Sequence, residues 1–145
     1  MSLHRYFFWA LLLITCGYAL WRGRNDERTV ALVCLGATIA TRFAIPPMGV
    51  RYSGVETGLL SIDLAVLLSF VAIALRSERF WPLWIAGLQL TISTSHVLKA
   101  LDESLLPRAY AAAVVLWSYP ILIILAIGTW RSHRRQLLQS RASAV

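Results

Sequence analysis

Five long apolar segments follow one another along the chain, and charged residues or prolines separate them. A helix needs about 20 apolar residues to cross the hydrocarbon core of a bilayer, within a range of about 17–25. The segments have about this length and their connections are short, so the pattern predicts a bundle of five transmembrane helices without an extramembrane domain. The predicted helices are residues 6–21, 29–45, 58–75, 80–98 and 109–130.

The composition favours the same class of protein. Apolar residues make up 58% of the 145 residues and charged residues only 14%, against roughly 25% charged in average soluble domains. This excludes a soluble enzyme, a nucleic-acid-binding domain and a disordered linker. We therefore expect an all-α integral membrane protein with a single domain over residues 1–145. Lys99 is the only lysine among 14 basic residues, which favours a bacterial inner membrane as the location.

The distribution of basic residues predicts the orientation in the membrane, because cytoplasmic loops collect Lys and Arg. Nine basic residues fall at one end of the predicted bundle and five at the other. We expect the N-terminus outside and the C-terminus in the cytoplasm, with a basic cytoplasmic tail over residues 131–145. The nine are Arg22, Arg24, Arg28, Arg76, Arg79, Arg131, Arg134, Arg135 and Arg141, and the five are Arg5, Arg42, Arg51, Lys99 and Arg108.

Three ionisable residues, Arg42, Asp63 and His96, lie inside predicted helices. Placing Arg or Asp at the centre of a membrane helix costs about 2.5–3.5 kcal/mol on the insertion scale. At a rise of 1.5 Å per residue, all three lie within roughly 8 Å of the outer boundary and form one layer. Gln89 and Ser93 share a helix face with His96 because they precede it by seven and three residues. The predicted layer comprises Arg42, Glu56, Asp63, Gln89, Ser93, His96 and Tyr110.

This polar layer has structural and functional interpretations. In one structural interpretation, Arg42 and Asp63 form an interhelical ion pair with His96 hydrogen-bonded nearby. In another, Arg42 and His96 extend to the outer surface. In the functional interpretation, the layer is a pocket open to the outside that binds a ligand, an ion or a lipid head group, or relays a proton.

Three classes of function follow from these residues. The absence of catalytic motifs favours a non-catalytic subunit of a membrane complex or a homo-oligomeric membrane component, whose partners are other membrane chains or itself. The alternative is an oligomeric transporter or channel that uses Arg42, Asp63 and His96. A further alternative is a membrane enzyme, or a pigment- or metal-binding protein, with His96 as base or ligand. No ligand spacing typical of a metal site occurs, so we assign no metal ligand, no catalytic residue and no particular cofactor.

Overall fold

The computed structural model describes residues 2–44, 55–101 and 107–145, and this part of the chain contains five helices and no strand. Each predicted segment falls within one helix, except for two terminal residues. Phe80 immediately precedes the fourth helix, and Ile45 lies outside the described residues. The helices extend beyond the apolar segments because adjacent polar residues continue them. They are α1 (Ser2–Arg22), α2 (Asn25–Ala44), α3 (Val55–Arg76), α4 (Trp81–Leu101) and α5 (Pro107–Ser143).

The five helices form a closed ring in the order of the sequence. Each helix packs against the next, α1 packs against α5, and α2 also contacts α5 across the ring. The α1–α5 contact includes Phe8 and Tyr119, whose rings meet edge to face at 5.8 Å between centroids. The start of α3 meets the end of α4 through Asp63 and His96. Ser77 after α3 meets Asp26 at the start of α2, so α3 is antiparallel to both neighbours.

The ring has two ends, which we name after one residue at each. At the Arg79 end, α1 and α3 end while α2 and α4 begin. At the His96 end, α3 begins and α4 ends. These two ends correspond to the opposite sides of the membrane in the predicted topology.

The inside of the ring is apolar, and so is much of its outside. Leu12, Cys16, Phe70, Ile85 and Leu125 are buried in the core. Many other large apolar side chains are exposed on the outer surface, among them those of Phe43, Leu68, Leu75 and Leu116. Exposed apolar area of this extent marks a surface that contacts lipid or protein.

Two of the described helices are long and apolar enough to cross a membrane, α1 over Leu3–Arg22 and α3 over Gly58–Arg76. Helix α2 has the length of a span, but its first turn consists of Asn25, Asp26, Glu27 and Arg28. The hydropathy of the described helices therefore supports membrane association through α1 and α3.

Helix α5 includes most of the predicted basic tail. It continues to Ser143, and its 37 residues extend about 55 Å, well beyond the roughly 30 Å of a hydrocarbon core. Pro120 lies inside this helix, and because it has no N–H, the carbonyl of Leu116 lacks its usual helical donor. The helix nevertheless continues on both sides of Pro120.

Candidate functional site

The central contact at the His96 end joins Asp63 of α3 to His96 of α4. Nε2 of His96 lies 2.6 Å from Oδ2 of Asp63, and the two side chains are 13% and 21% exposed, respectively. The imidazole N–H donates to the carboxylate, and the contact becomes a salt bridge when the ring is protonated. Asp63 and His96 therefore lie at one level of the bundle.

Gln89 holds the other oxygen of the same carboxylate. Its side-chain Nε2 donates to Oδ1 of Asp63 at 3.3 Å, and the side chain is buried. Gln89 precedes His96 by two turns of α4, so both side chains project from one face towards α3. Both carboxylate oxygens of Asp63 are therefore hydrogen-bonded, which offsets part of the desolvation that burial imposes.

A cavity of about 420 Å³ lies beside the Asp63–His96 pair. All five helices line it, and its volume is within the range of about 300–1,000 Å³ typical of small-molecule sites. Its walls are mainly apolar, and they include Phe8, Trp9, Val66, Phe70 and Ile92. Its polar lining residues are Arg5, Cys34, Thr38, Thr41, Arg42, Asp63, Gln89, His96 and Ser118.

Two threonines of α2 line this cavity, and each donates its hydroxyl hydrogen to a backbone carbonyl of the same helix. Thr38 donates to the carbonyl of Cys34, and Thr41 donates to the carbonyl of Ala37, both at 2.8 Å. Their oxygens retain the capacity to accept a hydrogen bond. The hydroxyl groups on this wall therefore act as acceptors, whereas Arg42 supplies donors.

The cavity brings together four residues of the predicted layer. Arg42, Asp63, Gln89 and His96 all line it. Ser93 is buried on α4 but does not line the cavity, and within the described part of the chain its Oγ has no hydrogen-bond partner. The predicted roles of Glu56 and Tyr110 concern side chains outside the described part of the structure.

The structure corrects the expected partner of Asp63. The structural interpretation paired this carboxylate with Arg42, but the ion pair that forms is with His96. Arg42 is exposed and lines the cavity without making that contact. The reason is the packing of α3 directly against α4, which places His96 against Asp63.

A second polar cluster, which was not predicted from the sequence, lies at the Arg79 end. Nη1 of Arg79 donates to Oε1 of Glu27 at 2.8 Å, and the Glu27 side chain is completely buried. The other oxygen of Glu27 accepts the backbone N–H of Arg24 at 2.9 Å, which caps the start of α2. Ser77 adds a bond of 2.8 Å to Asp26, so the connection between α3 and α4 is joined to α2.

One sequence signal pointed to this cluster. Asp26 and Glu27 are two adjacent acidic residues at the end of the bundle that is otherwise rich in arginine. Arg79 is one of the nine basic residues that predict the orientation. In the structure, the guanidinium of Arg79 neutralises a buried carboxylate. Acidic residues in the first turn of α2 also complement the positive end of the helix dipole.

Gly23 makes the tight connection between α1 and α2 sterically acceptable. Its N–H donates to the carbonyl of Ala19 at 2.9 Å. A Cβ at this position would lie 2.2 Å from that carbonyl oxygen and 2.7 Å from Cβ of Glu27. Glycine therefore allows the backbone to turn directly beside the buried carboxylate.

Among the residues that the structure describes, no three His, Cys, Asp or Glu side chains are placed to hold a metal ion together. Asp63 is the acidic side chain that contacts His96 within the described part of the chain.

No protein-family model, curated protein or solved structure matches this chain.

Proposed function

We propose that this chain is a five-helix integral membrane protein that binds a small amphipathic molecule in the cavity at the His96 end. It would work as a non-catalytic binding component, within a larger membrane complex or as a homo-oligomer. The observation that carries the proposal is the partly buried Asp63–His96 pair on the wall of a cavity of about 420 Å³. Ionisable residues inside membrane helices are rare and typically mark a ligand, ion or proton site.

The cavity favours ligand binding over a purely structural role for the pair. The cavity is partly open to the surface of the bundle, so a molecule can enter it from outside. An ion pair that only sets the register of α3 and α4 needs no such space beside it. Here the pair faces a space that apolar rings of Phe8 and Phe70 also line, so one molecule can contact both surfaces.

The lining predicts the chemistry of the ligand. The apolar walls suit a hydrophobic body, and Gln89 and Arg42 carry hydrogen-bond donors. Arg5 and Arg42 add two positive charges, while the charge of Asp63 is directed to His96. We therefore propose a ligand with an apolar body and one hydrogen-bond-accepting polar group, such as a carbonyl or carboxylate.

The membrane arrangement is part of the proposal. We place the His96 end outside and the Arg79 end in the cytoplasm of a bacterial inner membrane, with all five helices crossing the bilayer. The exposed apolar side chains around the ring and the nine basic residues predicted on one side support this arrangement. The site then lies near the outer face of the membrane.

The test is to identify what the full chain retains after purification in a mild detergent. Small molecules are extracted with organic solvent and measured by mass spectrometry per mole of protein. Apart from membrane phospholipids, we expect one amphipathic compound in the wild type and at least a tenfold reduction of it in Asp63→Asn and His96→Gln, because hydrogen bonds to charged groups contribute about 1.5–3 kcal/mol.

Glu78→Gln is the matched control for the charge change. Glu78 is an exposed carboxylate at the opposite end and does not line this cavity, so the control should retain the compound. If wild type and both cavity variants yield the same extract, the Asp63–His96 pair is structural and the ligand-binding proposal is wrong.

A further inference from the structure

A second cavity, of about 410 Å³, lies at the Arg79 end between the start of α4 and α5. One face of α5 forms a wall of it, because Arg131, Ser132 and Arg135 follow Gly128 by three, four and seven residues. Trp81 also lines it. None of these residues lines the cavity at the His96 end, so the two sites are separate.

The charges of this cavity do not balance. Arg79 lines it, but the guanidinium of Arg79 is paired with Glu27. Arg131 and Arg135 are exposed, and neither forms an ion pair with a carboxylate in the part of the chain that the structure describes. Glu78 is the one carboxylate among the lining residues. The cavity therefore carries surplus positive charge.

Two buried donors in this region lack partners among the described residues. They are the hydroxyl of Ser132, a residue only 1% exposed, and the indole Nε1 of Trp81. A hydroxyl inside a helix often donates to the carbonyl four residues earlier, as Thr129 does to Leu125 at 2.8 Å. Ser132 makes no such bond, and buried donors without partners are rare in folded proteins.

Close packing holds the indole of Trp81 against α5. A Cβ on Gly128 would lie 3.1 Å from Cδ2 of that ring, so the ring rests directly on the glycine backbone. Ser132 follows Gly128 by one helical turn on the same face. The ring and the hydroxyl therefore border the same cavity at adjacent levels.

We infer that this cavity binds a phosphate ester group, presented by an anionic phospholipid. Arg131 and Arg135 neutralise the phosphate, and the hydroxyl of Ser132, which has no partner among the described residues, turns to donate to one of its oxygens. The exposed ring of Phe80 also lines the cavity and offers an apolar surface to the acyl chains. Arginine and tryptophan together are typical of protein surfaces at the head-group level of a bilayer.

The experiment uses the full chain, delipidated in detergent and titrated with phosphatidylglycerol. Binding is measured by native mass spectrometry, with phosphatidylcholine as the zwitterionic lipid and glycerol 1-phosphate as the soluble phosphate. We expect phosphatidylglycerol to bind more tightly than phosphatidylcholine. Arg131→Gln/Arg135→Gln should weaken its binding by about tenfold or more, since charge-assisted hydrogen bonds are lost. Arg134→Gln/Arg141→Gln removes the same charge from residues that do not line the cavity, and it should bind like the wild type.

Ser132→Ala separates binding from folding. Without lipid it should be at least as stable as the wild type, because a buried hydroxyl without a partner is removed. With lipid it should bind severalfold more weakly. Displacement of phosphatidylglycerol by glycerol 1-phosphate at equal concentration would support the phosphate site and assign it a soluble ligand. Equal losses in the two arginine pairs, or none in either, would overturn the inference.

Discussion

The guanidinium of Arg79 lies 2.8 Å from the carboxylate of Glu27, which is completely buried, and these residues are 52 positions apart in the chain. The contact joins the start of α2 to the connection between α3 and α4. It therefore fixes two helical hairpins to each other at one end of the ring. Because the carboxylate has no access to water, its charge depends on this partner and on the N–H of Arg24.

Arg79→Gln should destabilise the protein by about 3–5 kcal/mol, because it leaves an unpaired charge in the interior. Glu27→Gln should cost less, since the Arg79 side chain is 21% exposed and can reach water. The double variant should regain part of the stability that Arg79→Gln loses. Thermal unfolding in detergent measures all three, with the exposed Arg141→Gln as control, and equal midpoints for Arg79→Gln and Arg141→Gln would contradict the burial argument.

Gly23→Ala should lower the free energy of unfolding by about 1–3 kcal/mol, as other overpacked sites do. The added Cβ would lie 2.2 Å from the Ala19 carbonyl oxygen, so the connection must shift. Gly17→Ala is the matched control, because its Cβ would meet no atom within 4 Å. That control should be neutral or slightly stabilising owing to the higher helix propensity of alanine. Thermal unfolding in detergent measures both variants. Equal midpoints for Gly23→Ala and Gly17→Ala would show that the connection between α1 and α2 accommodates the added Cβ without cost.

A double-mutant cycle on Asp63→Asn and His96→Gln should give a coupling energy of about 0.5–3 kcal/mol, as expected for side chains in contact. The comparison cycle pairs Asp63→Asn with Arg42→Gln. Its coupling should be close to zero, because the ion pair of Asp63 is with His96. Unfolding midpoints of the single and double variants supply both values. Stronger coupling with Arg42 would restore the pairing expected from the sequence.

Ser93→Ala should leave the stability unchanged or raise it slightly. The Ser93 hydroxyl is buried without a hydrogen-bond partner among the described residues, so its removal sacrifices no such bond. Because Ser93 does not line the cavity at the His96 end, the amount of extracted ligand should also stay unchanged. A large loss of ligand would assign Ser93 to the binding site after all.

Reporter fusions test the proposed five crossings. We expect cytoplasmic signals from fusions at residues 25, 77 and 145, and external signals at residues 50 and 103, because basic residues mark the cytoplasmic side. Paired phosphatase and fluorescent-protein reporters give opposite responses at each position. An external signal at residue 77 or 145 would reverse the orientation. Identical signals at 25 and 50 would remove α2 from the set of spans.

Much of the fold was predictable because its signals are local. Prolines and charged residues bound each apolar segment, and the five helices form where those segments lie. Their true ends were less predictable, since polar residues such as Asp26 and Glu27 continue a helix when their side chains find partners. The helical state of residues 131–143 illustrates this, because charge alone does not distinguish an exposed helix from a loop.

The sequence predicted the depth of Asp63 and His96 in the bundle, but it did not predict which side chain pairs with Asp63. Helical rise along the sequence is constant, so Asp63 and His96 could be placed in one layer by counting residues. Which side chain meets Asp63 depends on how α3 and α4 rotate about their axes as they pack. That rotation favours His96 and Gln89 over Arg42, and it also creates the cavity beside them.

By itself, the sequence determined a chain of five helices, because hydropathy and proline positions act over short distances. The tertiary structure alone decided the contact between Glu27 and Arg79, the choice of His96 for Asp63, and the cavities at the two ends. These features join residues far apart in the chain, and they exist only once the ring of helices has closed.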